Sequence, residues 1–231
     1  MLKINNRELT ESLISSWLDN LQYLDNFKKK YIYDISCDYY DSDLEFLYEI
    51  NRIIHEKEET CEDNVTNLVY LHQEDKHLLI YKEVKLEFTC EEIKEIIFGL
   101  IDILGKIYPL GTTVELKKEY IGKRVAEKDV KNAQVVIVNR FISHEDAKSF
   151  FQYSAVVYPI GFVGEMKVIH FTSALIDKVL KAGYSDEKEE AYVYLMKKEL
   201  IVDKRMHSFG FSTDEERESF ERKLGVENSS E

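Results

Sequence analysis

Two histidines flank a polar turn and have the spacing that comes nearest to a metal site. His72 and His77 stand on either side of Gln73–Lys76, and the stretch "VTNLVYLHQEDKHLLIYKEVKLEF" around them has the composition of a β-hairpin. Such a hairpin would place the two imidazoles opposite each other across its strands. A zinc site needs further ligands, and no cysteine or third histidine stands nearby in the sequence. We therefore expect ordinary cross-strand polar residues here.

Three other patterns approach a known chemistry, and each departs from it. The aspartates of Asp34–Asp43 have the composition of a calcium loop, but the required glycine and closing glutamate are out of register. His144-Glu145 begins a zinc-protease pattern, but Lys148 takes the place of the second histidine. Gly161–Gly164 matches a nucleic-acid-clamping loop without close basic neighbours. The sequence thus predicts no catalytic residue, no metal, no cofactor and a protein that is not an enzyme.

Composition narrows the class of partner. The 231 residues carry a formal net charge of −13, which disfavours binding to nucleic acid or to anionic lipid. The three cysteines are widely spaced, which argues against a disulfide framework and fits a reducing cytosol. The start "MLKINNRELTESL" lacks the features of a secretory signal, and the apolar stretches are too short for membrane insertion. We expect a cytoplasmic protein with a protein partner, and a homodimer stays open.

The first half of the chain has the pattern of helices around a hairpin. Apolar spacing predicts one helix over Glu8–Lys30, and "YIYDI" at Tyr31–Ile35 has the composition of a short strand. A second helix is predicted over Leu44–Glu58. Thr89 and Glu92 form a capping-box pattern that opens a further helix, the most apolar of this half. The half is expected to end at Gly105.

The second half has the pattern of a small antiparallel sheet followed by helices. The predicted strands are Thr112–Lys118, Ala133–Phe141, Phe150–Pro159 and Glu165–Phe171. A short helix with Leu175, Ile176, Val179 and Leu180 should follow Thr172 and end at a C′ glycine, Gly183; two more begin near Ser185 and Ser212. The fold class is therefore α+β, an N-terminal helix/hairpin α/β half followed by a small antiparallel β-sheet module with C-terminal helices. The predicted domains are 1–105 and 106–225, with a disordered tail at 226–231.

The only two prolines stand in near-copies of one motif. "YPLG" at Tyr108–Gly111 and "YPIG" at Tyr158–Gly161 each join an aromatic residue, proline, an aliphatic residue and glycine. Proline presets a turn, and glycine two residues later tolerates a positive φ. An internal repeat would explain the pair as well, but the residues that follow each copy share little. We expect two turns at strand ends of one sheet.

Aromatic residues are the most distinctive candidates for a contact surface. The chain has 15 tyrosines, and Tyr31, Tyr33, Tyr39 and Tyr40 cluster among aspartates. Tyrosine suits interfaces because it combines apolar area with a polar tip. The same residues, and Trp17 on the first helix, would equally suit a core. Both interpretations stay open for this set.

The second half resembles a known family in the order of its motifs. The matching segments are Leu110–Val114, Ile137–Arg140, Tyr158–Gly161, Phe171, Leu175–Val179 and Gly183–Glu187. Over roughly residues 107–200 this order is similar to an uncharacterised domain family of Gram-positive bacteria, encoded beside type VII secretion genes and their Leu-X-Gly toxins. Asn139 and Ile160 depart from the family pattern, which has glycine and glutamate there. The resemblance implies genomic company and no catalytic residue.

The resemblance and the acidity together favour a protein-binding role. We expect a cytosolic, non-enzymatic chaperone or adaptor that binds a secreted toxin or targeting factor of a type VII secretion system. An immunity protein that neutralises a cognate toxin is the alternative, since an acidic surface suits a basic toxin site. Ile160 is apolar where relatives have an acid, which favours an apolar contact at this corner. We therefore place Ile160, with Tyr158 and Phe162, among the protein-binding residues.

Overall fold

The computed structural model of the chain describes residues 6–54, 60–117, 133–143, 147–162, 168–208 and 210. The chain forms two compact units. The first unit is Met1–Gly105 together with Lys197–Lys204, and the second is Lys106–Met196 together with the segment that begins at Arg205. Each unit combines helices or turns with its own sheet, which confirms the predicted α+β class. The return of Lys197–Lys204 to the first unit was not predicted.

The helices of the first unit differ from the prediction near their start. Its helices are α1 (Asn6–Asn20), α2 (Asn26–Asp38), α3 (Glu45–Ile53) and α4 (Cys90–Leu104). The single helix predicted over Glu8–Lys30 is wrong, because a new helix begins after Asp25. The Asp25 side chain accepts a hydrogen bond from the Lys28 N–H at 2.8 Å and caps α2. Apolar spacing continues across the break, which is why it suggested one helix.

The strand predicted at Tyr31–Ile35 is also wrong, because these residues lie inside α2. Ile32 and Ile35 are three residues apart and both are buried. In a helix that spacing puts both side chains on one face, whereas in a strand they would point to opposite faces. Burial of this pair against the core outweighs the β-propensity of the neighbouring tyrosines.

A four-stranded antiparallel sheet completes the first unit. Its strands β1 (Thr60–Asp63), β2 (Leu68–Gln73), β3 (Lys76–Tyr81) and β4 (Val84–Phe88) pair in sequence order. The predicted hairpin is confirmed, with His72 opposite His77. The part of the predicted hairpin that follows the polar turn forms two strands and not one. Lys82 and Glu83, which both have positive φ, turn the chain between them into β4.

Helix α4 is the central helix of the first unit. The capping box is confirmed: the Thr89 N–H donates to Glu92 Oε2 at 2.8 Å, and the Glu92 N–H donates to Thr89 Oγ1 at 3.3 Å. Eight residues of α4 are buried. At Gly99 the Trp17 ring packs so closely that a Cβ would lie 2.1 Å from a ring carbon. Glycine is therefore required where α1 meets α4.

The second unit is built on a six-stranded sheet. Its strands are β5 (Thr113–Leu116), β6 (Ala133–Ile142), β7 (Ser149–Val157), β8 (Ile169–Phe171), β9 (Ile176–Lys181) and β10 (His207–Ser208). The order is β10-β7-β6-β5-β9, with β8 also on β7, and the pairing is antiparallel except for the short β10–β7 pair. β6 lies between β5 and β7, inside the sheet.

The helix predicted at Leu175–Leu180 is wrong, because Ser173–Leu175 forms a 3-10 turn and β9 follows. Two register shifts interrupt the pairing of β9 with β5. Each shift places an extra β9 residue in the pairing, so the half-buried positions Ile176 and Val179 are three apart. That interval imitates a helical period, which explains the error.

A further helix follows β9 in the chain. Helix α5 (Glu187–Lys197) begins near the predicted Ser185 and continues as a π-helical segment, Lys198–Asp203. The helix predicted after Ser212, the His144-Glu145 pair and the tail at 226–231 lie outside the described residues. Within the described residues, no helix has the length and hydropathy needed to cross a membrane.

Candidate functional site

The first proline corner, Tyr108–Gly111, leads into β5 and is fixed by hydrogen bonds. The Gly111 N–H donates to Ile137 O at 2.9 Å, which ties the corner to β6. Thr112 is fully buried; its N–H and its hydroxyl both donate to Pro109 O, at 3.2 and 2.7 Å. The same hydroxyl accepts from the Gly183 N–H at 3.0 Å. One threonine thus joins the corner to the segment after β9.

Tyr153 of β7 supports this corner from inside the unit. Its hydroxyl accepts from the Tyr108 N–H at 3.1 Å and lies 3.3 Å from Lys106 O and 3.2 Å from Ser173 Oγ. Burial raises the pKa of this phenol to about 12. The hydroxyl therefore stays protonated at neutral pH, and its function here is to hold backbone in place.

The second proline corner, Tyr158–Gly161, follows the end of β7. The Tyr158 N–H donates to Gln134 O at 2.9 Å, and the Gly161 N–H donates to Val157 O at 2.8 Å. Gly161 has a φ of +71° and Gly111 one of +79°, so both glycines occupy the left-handed region. Since β5 and β7 belong to one sheet, the prediction of two turns at strand ends of a single sheet is confirmed.

The residues predicted as contacts at the second corner are exposed. Tyr158 and Ile160 are 54% and 55% exposed, and Phe162 is 71% exposed. The turn is held by its backbone hydrogen bonds, so these side chains are not needed to form it. Three large apolar side chains within five residues of a fixed turn form a surface that a partner can bury. We call Tyr158, Ile160 and Phe162 the corner patch.

A second group of exposed apolar residues lies around the first corner, and sequence reasoning missed it. Leu110 is 48% exposed, Val138 42%, Leu180 39% and Tyr184 81%. Their backbones are neighbours because Gly111 bonds to Ile137 and Gly183 bonds to Thr112. The available sequence signal was the apolar residue between proline and glycine, which both corners share. The other members are brought together only by strand pairing.

The remaining predicted contact residues divide between core and half-buried positions. Trp17 and Tyr39 are 3% and 2% exposed, so a contact role for them is not compatible with their burial in this structure. Tyr39 donates to Asp63 Oδ2 at 2.5 Å and lies 3.1 Å from Thr66 Oγ1. Burial, and next the bond to Asp63, raise the pKa of this phenol. Tyr31, Tyr33 and Tyr40 are half-buried.

The two histidines face each other as predicted. The imidazoles of His72 and His77 are buried and stack with their centroids 4.2 Å apart. His77 Nδ1 lies 2.8 Å from the Tyr70 hydroxyl. In the ranges that the structure describes, no group of three or more potential ligands is arranged to hold a metal ion. The pair has the contacts of a packed polar cluster in the sheet.

A buried ion pair anchors α5 to the second sheet. Arg140 of β6 binds both carboxylate oxygens of Glu189, with Nη2 at 3.0 Å from Oε2, and its guanidinium lies 5.0 Å from the centre of the Tyr192 ring. The Arg140 side chain is 5% exposed and that of Glu189 18%. Both charges are removed from water, so each charged group needs the other as its partner to be stable in this place. The resemblance named Arg140 as part of a motif but gave no partner for it.

Comparison with known proteins locates the two corners in a recognised domain. No curated protein and no solved structure matches the chain. A domain-family model does match one segment, which is less than half of the chain and includes both proline corners, Arg140 and Glu189. Residues 107–192 are similar to a domain of unknown function, DUF4176.

Proposed function

We propose that this protein is a cytosolic, non-enzymatic chaperone or adaptor that binds a secreted toxin, or its targeting factor, of a type VII secretion system. The observation that carries the proposal is the corner patch. Tyr158, Ile160 and Phe162 are exposed on a turn whose form depends on backbone bonds. Isolated exposed apolar residues are ordinary, but three on one turn are a docking feature.

The backbone hydrogen bonds of the turn support a binding role. Association with a turn whose backbone is already hydrogen-bonded costs less conformational entropy than association that must order a loop. Each large apolar side chain removed from water contributes about 1.5–3 kcal/mol before other costs. The patch is therefore able to supply the centre of an interface.

The class of partner comes from the resemblance and from charge. The resemblance implies genes encoded beside those for type VII secretion and Leu-X-Gly toxins, so a toxin or its targeting factor is the expected partner. A net charge of −13 would speed association with a basic partner face. That same acidity favours an immunity protein as the second candidate, which would bind the toxic domain itself.

Affinity capture tests the proposal and separates the two candidates. The tagged chain is purified from its native host at native expression, and any Leu-X-Gly toxin that it retains is divided into secretion and toxic domains. Binding to the secretion domain supports an adaptor, and binding to the toxic domain supports an immunity protein. Purification of the chain alone would remove the support for both.

Paired variants test whether the corner patch is the contact. We expect Ile160→Asp with Phe162→Asp to weaken toxin binding at least tenfold, because charge replaces the apolar centre. Val65→Asp is the matched control, since Val65 is 81% exposed on a turn of the first unit. Equal binding by both variants would show that the contact lies elsewhere, while the capture result would still stand.

A further inference from the structure

An eight-residue segment near the C-terminal end of the described chain completes the core of the first unit. Lys197–Lys204 belongs to that unit, whereas the residues before and after it belong to the second. Leu200, Ile201 and Val202 are 1–3% exposed. The Asn20 side-chain amide of α1 donates to Val202 O at 3.0 Å. We call Lys197–Lys204 the strap.

One lysine attaches the strap to the end of α4. Lys197 Nζ donates to Ile103 O and to Gly105 O, both at 2.7 Å, and the residue is 7% exposed. The last carbonyls of a helix lack partners within the helix and carry partial negative charge. An ammonium group is a suitable donor for them. The same placement costs free energy, because a charged amine leaves water.

The strap also adopts an uncommon backbone form. Lys198–Asp203 is a π-helical segment, in which the Lys204 N–H donates to Glu199 O at 2.9 Å. Such segments are rare compared with α-helices. Ion pairs with the same five-residue interval join Lys198 to Asp203 at 2.9 Å and Glu199 to Lys204 at 2.6 Å. These pairs are half-exposed, so they contribute little to offset the cost of the form.

Protonation of Lys197 is coupled to its burial. Burial lowers the pKa of this amine from 10.5 to about 8, and the nearby carboxylate of Asp102 on α4 opposes the shift in part. Asp102 is the charged group that acts on Lys197 from α4, and α1 contributes the amide of Asn20, which does not titrate. A released strap would have the ordinary pKa, so the attached state binds fewer protons between about pH 8 and pH 10.5.

We propose that the strap is a proton-linked latch, which attaches more firmly to the first unit when Lys197 loses its proton and loosens when Lys197 gains one. A neutral amine still has two N–H groups, enough for Ile103 O and Gly105 O, but no longer carries the cost of a buried charge. Release uncovers the apolar surface beneath Leu200, Ile201 and Val202. The inference is independent of the proposed function, since the strap lies outside residues 107–192.

Hydrogen exchange on the full chain tests the latch. Strap amides and the last turn of α4 are followed at pH 7 and pH 9, after correction for the chemical exchange rate. Linkage predicts that the ratio of attached to released strap rises about tenfold over this interval. Lys197→Met should abolish the rise, and Lys198→Met should retain it, because Lys198 is an exposed lysine of the same segment.

Two outcomes contradict the proposal. One is a wild-type strap whose protection does not change with pH, and the other is a Lys197→Met strap that keeps the wild-type dependence. Should Lys197→Met fail to fold, carbon NMR of the lysine side chains in the unmodified protein gives a second test. One lysine must then titrate about two pH units below the others, and uniform titration of all lysines overturns the latch.

Discussion

Helices α4 and α5 show how differently a helix is attached in each of the two units of this protein. Eight residues of α4 are buried, and because Gly99–Ile103 are consecutive, this end of the helix is buried on all sides in the first unit. In α5 none of the residues that belong to the second unit, Glu187–Met196, is buried, and Tyr192 and Leu195 are 40% and 59% exposed. The first unit is therefore stabilised mainly by apolar burial. The second helix depends on polar attachments.

Those attachments explain why the second unit can leave apolar side chains outside. Arg140 fixes α5 through Glu189, and Thr112 fixes the segment after β9 through Gly183. Neither corner uses its exposed residues to maintain its own turn. A surface that is not needed for stability is free to serve a partner, which is the role proposed above for the second unit. Four substitutions test this contrast.

The largest effect is expected in the first core. Trp17→Ala should lower the free energy of unfolding by about 3–5 kcal/mol, because it leaves a cavity against α4. Leu195→Ala in α5 should change it by less than about 0.5 kcal/mol. Urea denaturation followed by far-ultraviolet circular dichroism measures both. Similar losses in the two variants would abolish the contrast between the helices.

Loss of the buried ion pair should be the next largest effect. Arg140→Met leaves the Glu189 carboxylate without its partner and should cost about 3 kcal/mol, the low end for a broken buried pair, since Glu189 keeps some solvent contact. Hydrogen exchange of β6 and α5 provides the measurement. The double variant Arg140→Met with Glu189→Met should recover most of the loss, and failure to recover would mean that the pair is not the attachment.

A single methyl group tests the close contact behind the first corner. A Cβ on Gly183 would lie 2.1 Å from Leu110 O, so Gly183→Ala must displace the corner or the segment after β9. We expect a loss of about 2 kcal/mol, seen as faster exchange of the Gly111 amide. Gly161→Ala is strained at its own positive φ but meets open space at the second corner, so it should leave the Gly111 amide unchanged. Unchanged protection of the Gly111 amide in Gly183→Ala would show that the close approach to Leu110 O does not hold the first corner.

The smallest effect concerns the cap of α4. Thr89→Ala removes the side chain that accepts from the Glu92 N–H and should cost about 1 kcal/mol. Thr10→Ala, inside α1, should be neutral or slightly stabilising because alanine is the better helix former. Fluorescence of Trp17, the single tryptophan, reports unfolding of this unit in both variants. Matching losses would indicate that the capping box adds no stability.

The predictions that succeeded rest on local rules. The capping box, the His72–His77 register and the two proline turns each depend on a few adjacent residues. The failures came where distant contacts decide the conformation. Residues Tyr31–Ile35 have the composition of a strand but pack as helix, and β9 has a helical interval because of its bulges. Lys197 gave no signal at all, since its partners are more than 90 residues away.

Short-range spacing and turn chemistry were sufficient to predict the α+β class, the capped helix α4, the hairpin and the place of both corners. The packing of distant segments, in contrast, decided that Trp17 and Tyr39 are buried while Ile160 and Phe162 face solvent. It also decided that Arg140 meets Glu189 and that Lys197 reaches the end of α4. Burial and charge pairing depend on which segments meet in space, and no local pattern records that.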